Sequence, residues 1–391
     1  MRESYVFKLF NNKKKANKLR KELYQFCQIY NHSLRLIKGH YKLFGKNPKK
    51  SDLQKHLKRL MDRGQKPEWK ALGYSQGIQE VTDRIYKSYQ AFFRWAKTRT
   101  GPRKSPPKLR PFRKYKSFTL KQAGWNLNQE TGEVKIGKNK FRYNKSRDIK
   151  GEIKTVTIKR DSVGDWYVIF SCDLGDEYRP EKIKPMTGKN AGFDFGLKTF
   201  LKSSDEDEYQ SPQPLAKSIK ELKRKNRVLS RKTKGSKNRK KARKTIARLH
   251  RKIARQRTDF HFKLALQLID RYDKMFFETL SISAMKKLWG RKVSDLGLYS
   301  FLRILEFKAS ENYRSINYVG RFFPSSKLCS KCGSIKNKGE LKLKDRVYKC
   351  ECGHEMDRDL NAAINILREG ASFLGLGGVR PTSVWHLLLE P

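Results

Sequence analysis

Four cysteines in the last quarter of the chain form two close pairs about twenty residues apart, Cys329 with Cys332 and Cys350 with Cys352. Each pair is followed directly by a glycine. Thiolates in two such pairs form a tetrahedral zinc site that holds a small loop. The lysine-rich chain lacks a signal-peptide pattern, which favours structural zinc over disulfides. The C-x-C pair is one residue shorter than usual, so His354 stays open as a substitute ligand.

Three carboxylates stand where an acidic side chain needs a specific reason to be present. Asp194 interrupts an apolar strand, where a lone charge is disfavoured unless it is paired or bound to a metal ion. Glu278 ends a second apolar strand, and Asp359 opens the last apolar helix. An Asp at a helix start often serves only as a cap, and Asp357 is the alternative at this position.

The elements between these carboxylates follow the order strand, hairpin, helices, strand, helix, strand and helix. That order fits an RNase H-type fold, in which the three carboxylates converge at one edge of a mixed sheet. Three converging carboxylates hold two Mg²⁺ ions about 4 Å apart. One ion activates a water and the other stabilises the leaving 3′ oxygen of a phosphodiester. The sequence therefore predicts a magnesium-dependent nuclease site at Asp194, Glu278 and Asp359.

The net charge of +53 and the pI near 10.2 predict a polyanionic partner, and nucleic acid is the obvious one. Roughly half of residues 217–257 are Lys or Arg. This segment predicts a long helical hairpin with a thin apolar stripe, broken at residues 234–236. The candidate nucleic-acid-binding residues of the hairpin are Lys232, Lys237, Arg239 and Lys240.

The amino-terminal half alternates between strand and helix patterns. Asn12 is a candidate cap for its first long helix, and Cys27 and Cys172 are predicted to be buried thiols. The other predicted helices are residues 51–61, 75–95, 260–269 and 299–313. The predicted strands are residues 4–10, 117–121, 133–136, 153–159, 166–172 and 316–323, and those before residue 173 are expected to form a small antiparallel barrel.

The predicted helix at residues 75–95 carries Gln76, Gln79 and Asp83 away from its apolar face. These polar residues are compatible with a solvated surface. The alternative is contact with a base edge or a phosphate, since glutamine can bind adenine through two hydrogen bonds. Gln76 and Gln79 are therefore candidate DNA-reading residues.

No apolar run approaches the twenty residues that a membrane helix needs. The amino terminus does not have the pattern of a signal peptide. We therefore expect a cytoplasmic protein of a prokaryote that contacts no membrane and associates with the nucleoid when it is bound to DNA.

Four sequence strings carry a specific resemblance. AGFDFGLKTF, KMFFETL, FFPSSKLCSKCG and YKCECGHEMDRDLNAAINI occur in the order of the three RuvC motifs and the zinc finger of the TnpB family. These proteins are RNA-guided endonucleases of bacterial and archaeal insertion sequences, and they are similar to compact type V CRISPR effectors. The resemblance is strong in the carboxyl-terminal half and weak in the amino-terminal half. In the third motif the family's catalytic Asp lies two residues before Asn, which points to Asp359.

The resemblance implies a multidomain α+β protein. It has an antiparallel wedge barrel, a helical recognition lobe and a RuvC α/β nuclease domain with a zinc-bearing insert. The partners it implies are a transposon-encoded guide RNA and a target double-stranded DNA with a short flanking motif, in a monomeric or weakly dimeric ribonucleoprotein. The expected boundaries are 1–11 and 111–186 for the wedge, 12–110 for the recognition lobe, 187–323 and 355–391 for RuvC, and 324–354 for the insert.

Two other functions are compatible with the same sequence. A nuclease-inactive relative would act as a guided DNA-binding repressor, although such a protein should lose a carboxylate and all three are present here. A transposase that joins strands itself would use the same fold, because RNase H folds support that chemistry too. The large positive charge favours the RNA-guided endonuclease.

Overall fold

The computed structural model describes residues 2–10, 12–175, 183–337, 339–341 and 345–375. The chain divides into two compact units, Met1–Tyr178 and Arg179–Pro391. Part of the lysine- and proline-rich segment at residues 178–190 and most of the glycine-rich and apolar tail after Gly370 lie outside the described residues. No helix of the described residues is both long enough and apolar enough to cross a membrane.

The described residues of the first unit contain four α-helices. The Oδ1 atom of Asn12 accepts a hydrogen bond of 2.8 Å from the backbone N–H of Lys15, which confirms Asn12 as the cap of the first helix. The predicted helices at residues 51–61 and 75–95 are confirmed, while the short third helix was not predicted. The helices are α1 Lys13–Phe44, α2 Lys50–Asp62, α3 Pro67–Lys70 and α4 Ser75–Thr98.

The first unit also contains a seven-stranded antiparallel sheet. Its strands are β1 Arg2–Phe10, β2 Ser117–Leu120, β3 Trp125–Asn128, β4 Glu133–Ile136, β5 Asn139–Tyr143, β6 Glu152–Arg160 and β7 Trp166–Asp173. The strand order is β2-β6-β7-β1-β5-β4-β3, so the first strand of the chain pairs inside the sheet as predicted. Strands β3 and β5 were not predicted. Cys27 and Cys172 are both buried, as expected.

The second unit is built on a five-stranded mixed sheet. Its strands are β8 Asn190–Asp194, β9 Leu201–Ser203, β10 Glu208–Tyr209, β11 Lys274–Glu278 and β12 Ser315–Val319. The order is β10-β9-β8-β11-β12, and β8, β11 and β12 are parallel. Strands β9 and β10 form a hairpin where the sequence predicted an acidic hairpin or loop.

The remaining elements are α5 Pro214–Ser230, α6 Lys237–Arg271, α7 Ile282–Leu296, α8 Leu298–Glu311, β13 Val347–Lys349, β14 Glu355–Asp357 and α9 Arg358–Phe373. The prediction of a separate helix at residues 260–269 was wrong, because this segment is the continuous end of α6. Helix α7 was not predicted, and its backbone is kinked at Trp289.

Helices cover both faces of this sheet. Phe193 and Phe277 pack into one apolar cluster with residues of α6 and α8. Phe276 packs on the opposite face, in a cluster with Ile366 of α9. Successive side chains of a strand point to opposite faces. Asp194 and Glu278 therefore lie on the face that α9 covers.

Candidate active site

Asp194 and Glu278 are the last residues of two neighbouring parallel strands, β8 and β11. The residues just before them, Phe193 and Phe277, are directly paired in the register of the two strands. Carboxyl ends of parallel strands meet at one edge of a sheet, and neighbouring strands lie about 4.8 Å apart. The fold thus brings these two carboxylates together, as the sequence predicted.

Helix α9 approaches β8 closely because Gly192 has no side chain. A Cβ atom built at Gly192 would lie 2.2 Å from the carbonyl oxygen of Ala363 and 2.4 Å from the backbone nitrogen of Leu367. Ala363 is four residues after Asp359, and Gly192 is two residues before Asp194. The contact therefore sets the first turn of α9 beside the edge that carries Asp194.

The two aspartates at the start of α9 have different structural roles. The Oδ1 atom of Asp357 accepts a hydrogen bond of 2.9 Å from the backbone N–H of Leu360, so Asp357 is the helix cap. Asp359 lies one residue inside the helix and is partly buried, and its Oδ2 atom is 3.7 Å from the guanidinium of Arg346. The capping role is thus taken by Asp357, whereas the charge of Asp359 acts on the buried Asp194.

The electrostatics of the three carboxylates are coupled. Burial and, to a smaller extent, the charges of Asp359 and Glu278 together raise the pKa of Asp194 to about 7, while the Phe195 N–H and Arg358 act in the opposite direction. Burial also raises the pKa of Glu278. Burial and the neighbouring Asp357 raise the pKa of Asp359, with Arg346 acting in the opposite direction. Negative charge is therefore costly here without a cation, which is the condition for a metal site.

The donor set of this site consists of carboxylate oxygens, which suit Mg²⁺. Among the described residues, only the four cysteines form a set of three or more ligating side chains whose ligand atoms all lie within 4.8 Å of one another. The three carboxylates do not form such a set.

The four cysteines converge as the sequence predicted. The Sγ atoms of Cys329 and Cys352 are 3.8 Å apart, and those of Cys332 and Cys350 are 3.6 Å apart. The Nε2 atom of His354 lies instead 3.1 Å from the Oγ atom of Ser330. The geometry thus favours the four thiols, and not His354, as the ligand set.

Two asparagines of α9 clamp the cysteine-bearing segment onto the helix. The side chain of Asn361 accepts from the N–H of Ser330 at 3.0 Å and donates to the carbonyl of Leu328 at 2.7 Å. The Nδ2 atom of Asn365 donates to the carbonyls of Ser325 and Leu328. Both asparagines are buried. The sequence analysis missed them, although two amides four residues apart in an apolar helix were a usable signal.

We expect the metal at this cluster to support the start of α9. Cys329→Ser should release zinc, loosen residues 325–355 and slow cleavage, because the clamp of Asn361 and Asn365 then holds a disordered partner. Elemental analysis and thermal melting measure the first two effects. Cys27→Ala is the matched control, since Cys27 is a buried thiol outside the cluster. Wild-type protein without zinc would rule out the structural metal.

Two protein families match segments of the chain. Residues 174–288 match a family described as "Probable transposase", and residues 299–366 match "Cas12f1-like, TNB domain". The chain is 30% identical over 310 residues to "Putative RNA-guided DNA endonuclease" of Streptomyces pristinaespiralis, covering 78% of this chain and 74% of that protein. The chain belongs to the TnpB family. A TnpB-like protein of Acanthamoeba polyphaga mimivirus is 28% identical over 286 residues, which are 66% of this chain and 53% of that protein.

A solved structure has the same fold. The cryo-EM structure of a Cas12f1–sgRNA–target DNA complex aligns with a TM-score of 0.53 and 17% identity. The alignment covers 91% of this chain and 83% of that chain. The multidomain α+β fold expected of a TnpB protein is thereby confirmed.

The basic hairpin of this TnpB protein consists of α5 and α6. Its apolar stripe is buried through Leu222, Ile246, Leu249 and Ile253, whereas Val228 is exposed. Lys232, Lys237 and Lys240 are exposed around the turn. The guanidinium of Arg239 donates to the carbonyls of Leu229 and Lys232, so Arg239 has a structural role in closing the turn.

The candidate DNA-reading residues differ in their availability. The Oε1 atom of Gln76 accepts a hydrogen bond of 2.9 Å from the N–H of Ala123, so this side chain is partly engaged. Asp83 forms ion pairs with Lys50 and Lys121, and these cations hold its pKa low despite burial. Gln79 is exposed and lines a cavity of about 550 Å³. Of the two glutamines, Gln79 is therefore the one more free to contact a base.

Proposed function

We propose that this protein is an RNA-guided DNA endonuclease. A guide RNA supplies sequence specificity by pairing with the target strand, and protein side chains recognise a short duplex motif beside the target. Zinc on Cys329, Cys332, Cys350 and Cys352 is structural, because four thiolates leave no open position for chemistry. The expected wedge, recognition-lobe, RuvC and insert boundaries remain part of this proposal, and so does Gln79 as a base-contacting residue.

The observation that carries the proposal is the placement of Asp194 and Glu278 at the neighbouring ends of β8 and β11, with α9, the helix that carries Asp359, packed against β8. Two Mg²⁺ ions held there would activate a water and stabilise the leaving 3′ oxygen of a phosphodiester. The three side chains themselves supply the oxygen ligands. Asp357 keeps the helix start in place through its cap, and the Asn361 and Asn365 clamp fixes the same helix from the cysteine-bearing side.

Sequencing of the RNA that copurifies with the protein tests the guide. The expected result is one structured RNA of defined sequence with a variable segment. A duplex that matches this segment should then be cut in Mg²⁺, while an unmatched duplex should not. A random mixture of cellular RNA would contradict the proposal. The "Probable transposase" description of residues 174–288 favours strand transfer as the second candidate, which an assay with transposon ends would detect.

We expect the lysines at the turn of the basic hairpin to bind the phosphates of the RNA backbone. Replacing Lys232, Lys237 and Lys240 together by Gln should weaken RNA binding and lower the slope of log K against log salt by roughly 2, since each single-strand phosphate contact contributes about 0.7. Filter binding across a salt series measures both effects. The control is the exposed α7 triple Lys286, Lys287 and Lys292, also changed to Gln. An equal slope change in the control would mean that only net charge matters.

A further inference from the structure

Phe322 is the most exposed large hydrophobic side chain of the described residues. Its side chain is 90% exposed, whereas the adjacent Phe323 is 8% exposed. Single apolar side chains on a surface are common and need no explanation by themselves. Phe322 differs from such residues in two respects: its backbone is held by hydrogen bonds, and it lies near the predicted active site.

The backbone around Phe322 is fixed on both sides. The N–H of Phe323 donates to the carbonyl of Gly320 in a turn, and Phe323 packs into the apolar cluster beneath α9. The carbonyl of Pro324 accepts from the N–H groups of Lys327 and Leu328 at 2.8 and 3.0 Å. The exposed ring is therefore presented by a preformed turn, which lowers the entropy lost on binding.

This turn lies at the edge of the sheet that carries the carboxylates. Strand β12 ends at Val319, which is directly paired with Glu278 in the register. The side chain and the N–H of Thr279 both donate to the carbonyl of Val319, which ties the two strand ends together. Three residues span at most about 10 Å, so the Cα of Phe322 lies within about 15 Å of the Cα of Glu278.

The charge around the ring is positive. Arg321 is exposed beside Phe322, and Lys327 is partly exposed on the same turn. A phosphate chain is attracted by such cations, while an aromatic face accepts any base by stacking. An exposed ring beside basic side chains is the combination that binds single-stranded nucleic acid without sequence preference.

We infer that Phe322 is a stacking platform for an unpaired base of the DNA strand that enters the carboxylate site. The inference rests on the proposed function. Phe322 contacts the substrate within a few nucleotides of the cut and holds the strand in register with Asp194, Glu278 and Asp359. The face of the ring carries no hydrogen-bonding groups, so it accepts the strand at any target sequence.

The experiment uses the ribonucleoprotein with its copurified RNA and a duplex that matches it, with 2-aminopurine placed at successive positions around the cut. Stacking on Phe322 should quench the fluorescence at one position. Phe322→Ala should abolish that quenching and slow cleavage about tenfold, which corresponds to 1.4 kcal/mol and lies within the range for stacking a base on an aromatic side chain. Guide-RNA binding and the melting temperature should not change.

Two variants separate stacking from packing. Phe322→Trp should keep the quenching and the rate, whereas Phe322→Leu, which is apolar but has no flat face, should behave like Phe322→Ala. Phe373→Ala is the matched control, because Phe373 is 71% exposed and lies fourteen residues after Asp359, about 21 Å along α9. The inference would be overturned if Phe322→Leu kept full activity, or if Phe373→Ala lost as much activity as Phe322→Ala. Neither result would contradict guided cleavage by the wild type. A wild type that does not cleave would overturn both.

Discussion

Replacing Asp194, Glu278 or Asp359 by alanine is expected to slow cleavage of a matched duplex by about a thousandfold or more. Each carboxylate offsets part of the charge of the bound cations, so the loss of one should displace an ion. Guided DNA binding should survive, or even tighten, because removing a negative charge reduces repulsion of the DNA phosphates. Single-turnover cleavage in Mg²⁺ and filter binding on the same preparations measure the two effects.

Asp357→Ala is the matched control at the same helix start. Asp357 caps α9 through its bond to the Leu360 N–H, and loss of such a cap costs about 1 kcal/mol of stability. Its effect on cleavage should therefore be much smaller than that of Asp359→Ala. A near wild-type rate for Asp194→Ala would remove the two-metal assignment. A larger loss for Asp357→Ala than for Asp359→Ala would show that Asp357 is the ligand.

The raised pKa of Asp194 gives this prediction a second readout. The pKa is about 7 in the folded protein and about 3.9 in an unfolded chain. Between those values the folded state keeps a proton that the unfolded state has lost, so stability falls as the pH rises through this window. Asp194→Asn should therefore raise the melting temperature in buffer without Mg²⁺, and by more at pH 8 than at pH 5. An unchanged melting temperature at both values would contradict the electrostatic account.

The carboxylates were predictable because a charge within an apolar strand is costly wherever it occurs. Asp194 and Glu278 could be identified on that ground alone, and their shared sheet edge followed from the parallel strand order. To choose between Asp357 and Asp359, one must know which of them caps α9. That depends on the backbone geometry at a single residue, which the sequence does not give. The resemblance to the TnpB family favours Asp359, and the hydrogen bond from the Leu360 N–H to Asp357 supports the same choice.

Other features were not predicted because their sequence signals are weak or depend on residues far apart in the chain. Strands β3 and β5 are four and five residues long, and their alternation is too short to stand out. Residues 260–269 looked like a separate helix because the composition changes from basic to apolar, although the backbone of α6 does not break there. The roles of Gly192 and Asn361 depend on partners more than thirty residues away. Sequence periodicity carries no information about such contacts.

Gly192→Ala is expected to reduce cleavage by at least about a hundredfold, the scale of loss for a misplacement of roughly 1 Å at an active site. The added Cβ would meet two backbone atoms, the Ala363 oxygen and the Leu367 nitrogen, at 2.2 and 2.4 Å. Neither atom can rotate away as a side chain does. Helix α9 must therefore move off β8, and Asp359 moves with it. Overpacking of this kind also costs about 1–3 kcal/mol of stability.

Substitutions at two further glycines test whether the loss of cleavage follows the severity of the steric clash. A Cβ at Gly370 would meet Cδ1 and Cγ of the buried Phe276 ring at 2.1 and 2.7 Å, so Gly370→Ala should also displace α9 and reduce cleavage. A Cβ at Gly39 in α1 would meet no atom within 4 Å, so Gly39→Ala should leave cleavage unchanged and stabilise its helix slightly. Cleavage rates, zinc content and melting temperatures of the three variants separate a displaced helix from an unfolded chain. Since α9 carries both Asp359 and the clamp of Asn361 and Asn365, a Gly192→Ala protein that folds, keeps zinc and cleaves at the wild-type rate would mean that the position of α9 does not set the active site.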